Sequence, residues 1–136
     1  MPLLHDDYIE VISNYSLEKW KPLMDFINVL ELKYSTNKQY SKNIFQTHSV
    51  ELRQFLDIVH HQIPIMIVFD WGNWTEGKKI LQSMDTDLSS LSVPNLCKLI
   101  TVLVRADRFN EGLLQSSLEN GLILKLLKAI QSRLAF

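Results

Sequence analysis

The stretch Arg105-Ala106-Asp107-Arg108-Phe109-Asn110-Glu111-Gly112 packs two guanidinium groups and two carboxylates around one bulky ring. A carboxylate beside an Arg can hold or move a proton, and a pair of Arg side chains can grip a phosphoryl or carboxylate group. Helical spacing decides how these groups are presented. Lys98, Thr101 and Arg105 follow the three-and-four spacing of a polar face, whereas Ile100, Leu103 and Asp107 fall along the apolar one. A carboxylate thus arrives where core is expected, and Asp107 must find either an Arg or the free amides of the next helix. Two readings follow. In the structural one, Asp107 bonds those amides, one Arg neutralises it and Phe109 wedges the two helices apart. In the functional one, Arg105, Arg108, Asp107 and Glu111 line a cleft for a charged ligand or a partner chain. Mixed-sign clusters at helix corners are more often structural, which puts the first reading ahead.

A second constellation is Asp70-Trp71 with Trp74, directly after the most apolar run in the chain. Each indole carries a large apolar body and one N–H that needs an acceptor, which Asp70 can supply in a core or a ligand can supply in a pocket. The same pair could anchor an interface, where Trp and Arg are enriched, although core packing is the commoner fate. At least one of the two rings is expected to be largely buried.

Other chemistry finds no support. There is no Gly-x-Ser-x-Gly elbow, no Cys with an activating His, and the four glycines make no phosphate cradle. No cofactor is expected. His60 and His61 are adjacent, point about 100° apart on a helix and have no third ligand at matching spacing, so a metal site is not expected. They fit better as cations answering a helix C-terminus. No catalytic residue is assigned, and the balance is against an enzyme, with acid–base work by Asp107 or Glu111 the least implausible reaction.

Composition bounds the partners. With 14 basic against 15 acidic residues the chain lacks the electrostatic footprint of a nucleic-acid binder. The apolar share is 46% and the charged share 21%, near the globular norm, so 136 residues make one domain spanning 1–136. Cys97 is a lone thiol in an apolar run, which reads as a small core residue in a reducing compartment. No basic and apolar leader opens the sequence, and the longest uncharged apolar run, Ile63 to Phe69, is far shorter than the roughly 18 residues of a membrane span. A cytoplasmic protein without membrane contact is expected.

The elements that must position these groups read as helices. Asp6 to Ile12 can form about two turns. Ser16 caps a strong helix carrying Trp20, Leu23, Met24, Ile27 and Leu30, although Pro22 argues that its start slips toward Trp20. Residues 33–48 are the best loop or linker, with Tyr34, Tyr40 and Phe45 interleaved among polar side chains. Ser49 opens a helix with Leu52, Phe55, Leu56 and Val59 on one face. Residues 63–69 suit a strand or a buried helix by composition; because nothing else offers strand pairing, a short buried helix is expected there. Thr75 caps a helix to about Met84, and residues 85–92 connect it to a long helix beginning at Ser92 or Val93 with Pro94 in its first turn. Asn110 caps a further helix, Gly121 ends it in left-handed geometry, and a last helix carries Ile123, Leu126, Leu127, Ile130 and Leu134. Lys125, Lys128 and Arg133 toward its end complement the helix dipole. The expectation is an all-α bundle of about seven helices, with no internal repeat.

Phe69-Asp70-Trp71, Trp74, the run from Leu99 to Gly112 and Glu119-Asn120-Gly121 through Leu127 resemble domain of unknown function 6508, a family of small, mainly bacterial proteins. The pattern Arg, one residue, Asp-Arg-Phe, one residue, Glu-Gly is fairly specific, and Asp70, Trp71, Trp74, Arg105, Asp107, Arg108, Phe109, Glu111, Gly112 and Gly121 fall on it. The likeness covers the C-terminal half, and residues 1–62 carry no pattern that aligns. It implies no activity, cofactor or substrate.

The binding candidates are therefore Asp70, Trp71, Trp74, Arg105, Asp107, Arg108 and Glu111. The first expectation is a helical interaction module that binds a protein partner or itself through the Trp and Arg-Asp-Arg regions. The alternative is a small-molecule or phosphoryl-ligand binder, an enzyme included, at the same corner. A cleft faced by Trp74 and both Arg side chains would favour the alternative; a flat, self-complementary patch would favour the first.

Overall fold

The computed structural model describes residues 5–35, 49–83 and 85–134. Among them are seven α-helices and no strand: α1 (His5–Ser13), α2 (Leu17–Leu30), α3 (Val50–Asp57), α4 (Thr75–Leu81), α5 (Val93–Ala106), α6 (Leu113–Glu119) and α7 (Leu122–Leu134). The fold is all-α, as helical periodicity predicts. Of the connection expected over 33–48, residues 33–35 lie in a π-helical turn that extends α2, and the rest falls outside the described residues.

Serine caps set three helix starts. Ser16, Ser49 and Ser92 are extended, and each hydroxyl accepts from the amide three residues on: Lys19 at 3.1 Å, Leu52 at 3.1 Å and Asn95 at 3.3 Å. The Ser16 cap overrides the penalty of Pro22, so α2 begins at Leu17 and does not slip toward Trp20. The carbonyl that Pro22 leaves without a donor belongs to exposed Glu18, where water can answer it. α4 starts at Thr75 itself with Trp74 in the cap position, so Thr75 is not the expected cap, and the helix stops at Leu81. α3 runs into a π-helical turn over Ile58–Gln62, in which His60 Nδ1 lies 2.8 Å from the Leu56 carbonyl oxygen.

The core is arranged around α5. Seven of the eight residues from Leu96 to Leu103 are buried and the eighth, Lys98, is half-buried, which leaves α5 almost no solvent face over two turns. α7 packs on α5, α6 and α2, while α1 and α4 lie against α5. This overturns the expected polar stripe: Thr101 is fully buried and Lys98 half-buried. Cys97 is also fully buried, and loss of solvent pushes its thiol far above the ordinary range, so it is held protonated and unreactive.

Residues 63–69 are neither helix nor strand. Ile63, Ile65 and Ile67 are buried while Pro64 and Val68 are exposed, an alternation of extended backbone with no neighbouring ladder. Its polar groups are met one by one. Ile63 and Ile65 amides donate to the carbonyls of Ile58 and Val59, the Pro64 carbonyl accepts from Tyr15 Oη at 2.7 Å, and the Ile67 amide donates to Thr101 Oγ1 at 3.1 Å. Thr101 in turn donates to the Cys97 carbonyl at 2.9 Å. The expected buried helix is thus replaced by a strap whose hydrogen bonds come from side chains and a π-turn. Burial pushes the Tyr15 phenol upward, which keeps the strap's donor protonated.

The cations of α7 do more than answer a dipole. Arg133 Nε donates to the Leu91 carbonyl at 3.0 Å and its Nη2 to the carbonyls of Leu88, at 2.9 Å, and Ser89. Lys125 Nζ donates to the Thr86 carbonyl at 2.7 Å. The connection from α4 to α5 is pinned to α7 by these two side chains. Lys128 pairs with Glu31 at 3.4 Å.

Candidate functional site

The α5–α6 corner is built by Asp107 and Gly112. α5 ends on Asp107, and the backbone turns through Phe109 and Asn110, whose amides return to the Ala106 carbonyl at 2.9 and 3.0 Å. Gly112 sits at φ +91°, a left-handed conformation that costs a side-chain-bearing residue about 1 kcal/mol or more. Glycine has no side chain with which to cap α6. Asp107 Oδ1 accepts from the Leu114 amide at 3.0 Å and takes that role from outside the helix. Asn110, expected as the cap, contributes a backbone carbonyl to the Leu113 amide at 3.0 Å. The next corner repeats the device: Gly121 has φ +89° and Asn120 Oδ1 accepts from the Leu122 amide at 2.9 Å.

The Arg side chains take no part in this. Among the described residues neither Arg105 nor Arg108 pairs with an acidic group, and Glu111 is exposed beside exposed Arg108. Phe109 does not wedge helices apart. It is 81% exposed, and its ring lies 6.3 Å from the Trp71 ring at an angle of 31°. That contact joins the two constellations that the sequence offers separately.

The two Trp residues have different surroundings, and both are partly buried. Trp74 meets Phe69 edge-on at 5.6 Å, and Lys98 Nζ lies 4.7 Å from its ring centre and 4.8 Å from that of Phe69. On another side it rests on α4, where a Cβ placed on Gly77 would fall 2.3 Å from Trp74 Cε3. Trp74 is therefore a packing residue. Trp71 instead forms one wall of a cleft of about 380 Å³ between α4, α5 and α6. Asp70 accepts from Asn73 Nδ2 at 2.8 Å and from the Asn73 amide at 3.3 Å through its carboxylate and carbonyl respectively, so it shapes the turn and does not serve an indole. Neither Trp74 nor either Arg lines that cleft.

Sequence reasoning missed three contributors. Gly77 and Lys98 act through Trp74, and their role follows from long-range packing that spacing does not encode. Gln115 is buried in α6, where Oε1 accepts the Ser49 amide at 3.1 Å and Nε2 donates to Glu119 at 2.7 Å, tying the start of α3 to α6. No group of three His, Cys, Asp or Glu side chains suited to a metal ion occurs among the described residues.

A family model matches residues 15–134. The chain belongs to DUF6508, a family of unknown function. The family's reach begins at Tyr15, well ahead of the motif, and so includes α2 and α3, where the residues by themselves suggest no alignment. No curated protein and no solved structure matches the chain. Of the residues that carry the sequence resemblance, Asp107, Gly112 and Gly121 build the corners, Trp74 packs, and Arg108, Phe109 and Glu111 are left facing solvent. Among the described residues no helix is long and apolar enough to cross a membrane.

Proposed function

We propose that this protein is a cytoplasmic helical module that self-associates through the Arg108-Phe109-Glu111 corner, its partner being a second copy of the chain. One observation carries the reading: Phe109 holds its ring 81% exposed on a hydrogen-bonded turn, against Trp71. An exposed aromatic on a flexible tail would signify little, but this one is fixed by the Ala106 carbonyl and by the Asp107 cap two residues before it. Aromatic rings held rigid, with a charged rim, are the usual anchors of an interface.

Charge selects the partner. Arg108 and Glu111 flank Phe109 with opposite signs, so a two-fold axis beside the ring would set each Arg108 against the Glu111 of the other copy. A strongly acidic or basic partner would leave one of the two unanswered. The chain's own charge balance, 14 basic against 15 acidic residues, imposes little repulsion between copies.

Sedimentation over a micromolar to submillimolar range tests this. The parent should pass from monomer to dimer, and Phe109→Ser should stay monomeric. Arg108→Glu and Glu111→Arg should each be monomeric alone and dimerise when mixed, because the two-fold arrangement then restores both pairs. A parent that remains monomeric throughout, or an Arg108→Glu variant that dimerises like the parent, would overturn it.

A further inference from the structure

We infer that the cleft behind Trp71 is a binding site for a small organic anion, a carboxylate carried on a compact apolar body. The cleft holds about 380 Å³, within the size range of pockets that take small molecules. Its floor is apolar, formed by Leu81, Val102, Leu103 and Ala106, with the half-buried Trp71 ring as a wall. Apolar groups at the bottom of an open cleft gain by covering themselves with a ligand's apolar part. This site adjoins the proposed self-association surface through the Trp71 ring, but Arg108, Phe109 and Glu111 are not among its lining residues.

The rim sets the sign of the ligand. Lys78 is the one charged side chain among the described lining residues, and no carboxylate stands with it. Its ammonium donates to the Gly72 carbonyl, which fixes it at the Trp71 turn and leaves two further protons to give. Asn110, Gln82 and Ser116 also reach the lining, and among the described residues their side chains have no hydrogen-bond partner. The Asn120 carbonyl oxygen is committed to the Leu122 amide, so that side chain offers its NH₂ group as a donor. An ammonium and several amide donors around an apolar floor suit an anion with an apolar body, and leave a cation without a counter-charge. Phosphate alone would not use the floor.

Phenylacetate, phenylacetamide and phenethylamine share one body and differ in charge, which makes them the probes. Titration into ¹⁵N-labelled full chain, followed by two-dimensional NMR, should give saturable shifts at the Trp71 indole and at the amides of Val102 and Ser116. Phenylacetate should bind about tenfold or more tighter than phenethylamine, a difference of about 1.4 kcal/mol, with the amide between them. Lys78→Met should erase that preference while retaining binding of the amide. Ala106→Leu fills the floor and should abolish binding of all three; should that variant lose its dispersed spectrum, Ser116→Phe closes the same cleft from its exposed rim. Equal affinity for acid and amine, no saturable shift with any probe, or undiminished binding in a folded cleft-filling variant would overturn the inference. Glu111→Arg, which breaks self-association at a residue outside the cleft lining, should still bind phenylacetate at least as tightly as the parent, so failure of self-association and failure of the cleft are read separately.

Discussion

Residues 63–69 and the corner 107–112 both lean on α5, and they invert each other's chemistry. The strap buries three isoleucines and must import polar partners for its backbone from Thr101, Tyr15 and the π-turn at Ile58 and Val59. The corner satisfies its own backbone within a few residues and sends its largest apolar ring into water. A segment that cannot bond to itself is tied down by the rest of the molecule, so its residues are committed to stability. A segment that closes locally leaves side chains to spare. The residues on which the sequence resemblance rests are concentrated in the second kind of segment, where backbone-shaping residues and solvent-facing ones alternate.

That contrast sets an order of effects. Ile65→Ala should cost about 2–5 kcal/mol in urea unfolding, because the site is fully buried and its neighbours are helices that cannot collapse onto it. If it costs less than 1 kcal/mol by that same comparison, the strap is not part of the cooperative core and the contrast fails.

Thr101→Val removes the hydroxyl that accepts from Ile67 and leaves a buried amide unpaired, an expected loss of about 1–3 kcal/mol. Thr101→Ser keeps the oxygen and should recover most of it. Amide exchange at Ile67 is the sharper readout: it should quicken in the valine variant well beyond the change in global stability.

At the corner, Asp107→Ala should cost about 1–2 kcal/mol, the worth of a helix cap on a half-buried carboxylate. Glu111→Ala, which removes no intramolecular bond among the described residues, should fall within about 0.5 kcal/mol of the parent in the same urea melts. A neutral Asp107→Ala would shift the carboxylate from scaffold to binding.

Phe109→Ser should be the mildest of all for the monomer, within about 0.5 kcal/mol or slightly stabilising, since the ring is mostly in water already. Melts must be made at a dilution where the parent is monomeric. A loss comparable to Ile65→Ala would show that the ring packs, and would erase the difference between the two segments.

The sequence makes the helix starts legible because a serine followed by an apolar-periodic run has one good local solution. Ser16, Ser49 and Ser92 needed no tertiary information, and Gly121 was readable for the same reason. Ile63 to Phe69 carried its answer in the alternation of Ile63, Ile65 and Ile67, but an extended segment without a ladder is an arrangement that pairing arguments discard. Thr101 misled because helical spacing gives faces and does not reveal that α5 lies at the centre, where every face is inside. Asp107 was legible as a misplaced carboxylate seeking amides. Phe109 was not, since a ring between charges off the apolar stripe suits a wedge as well as an exposed platform, and the 6.3 Å approach to Trp71 depends on two turns far apart in the chain.

The Arg133 latch on residues 88–91 has a consequence for synthesis. The carbonyls it collects leave the ribosome more than 40 residues before the guanidinium that receives them. During that interval the connection from α4 to α5 lacks its Arg133 and Lys125 fastenings, and α5, the most apolar helix, has only the elements made before it to pack against while α7 is still unmade. Vectorial synthesis therefore leaves the centre of the molecule without its α7 cover until nearly the last helix has emerged.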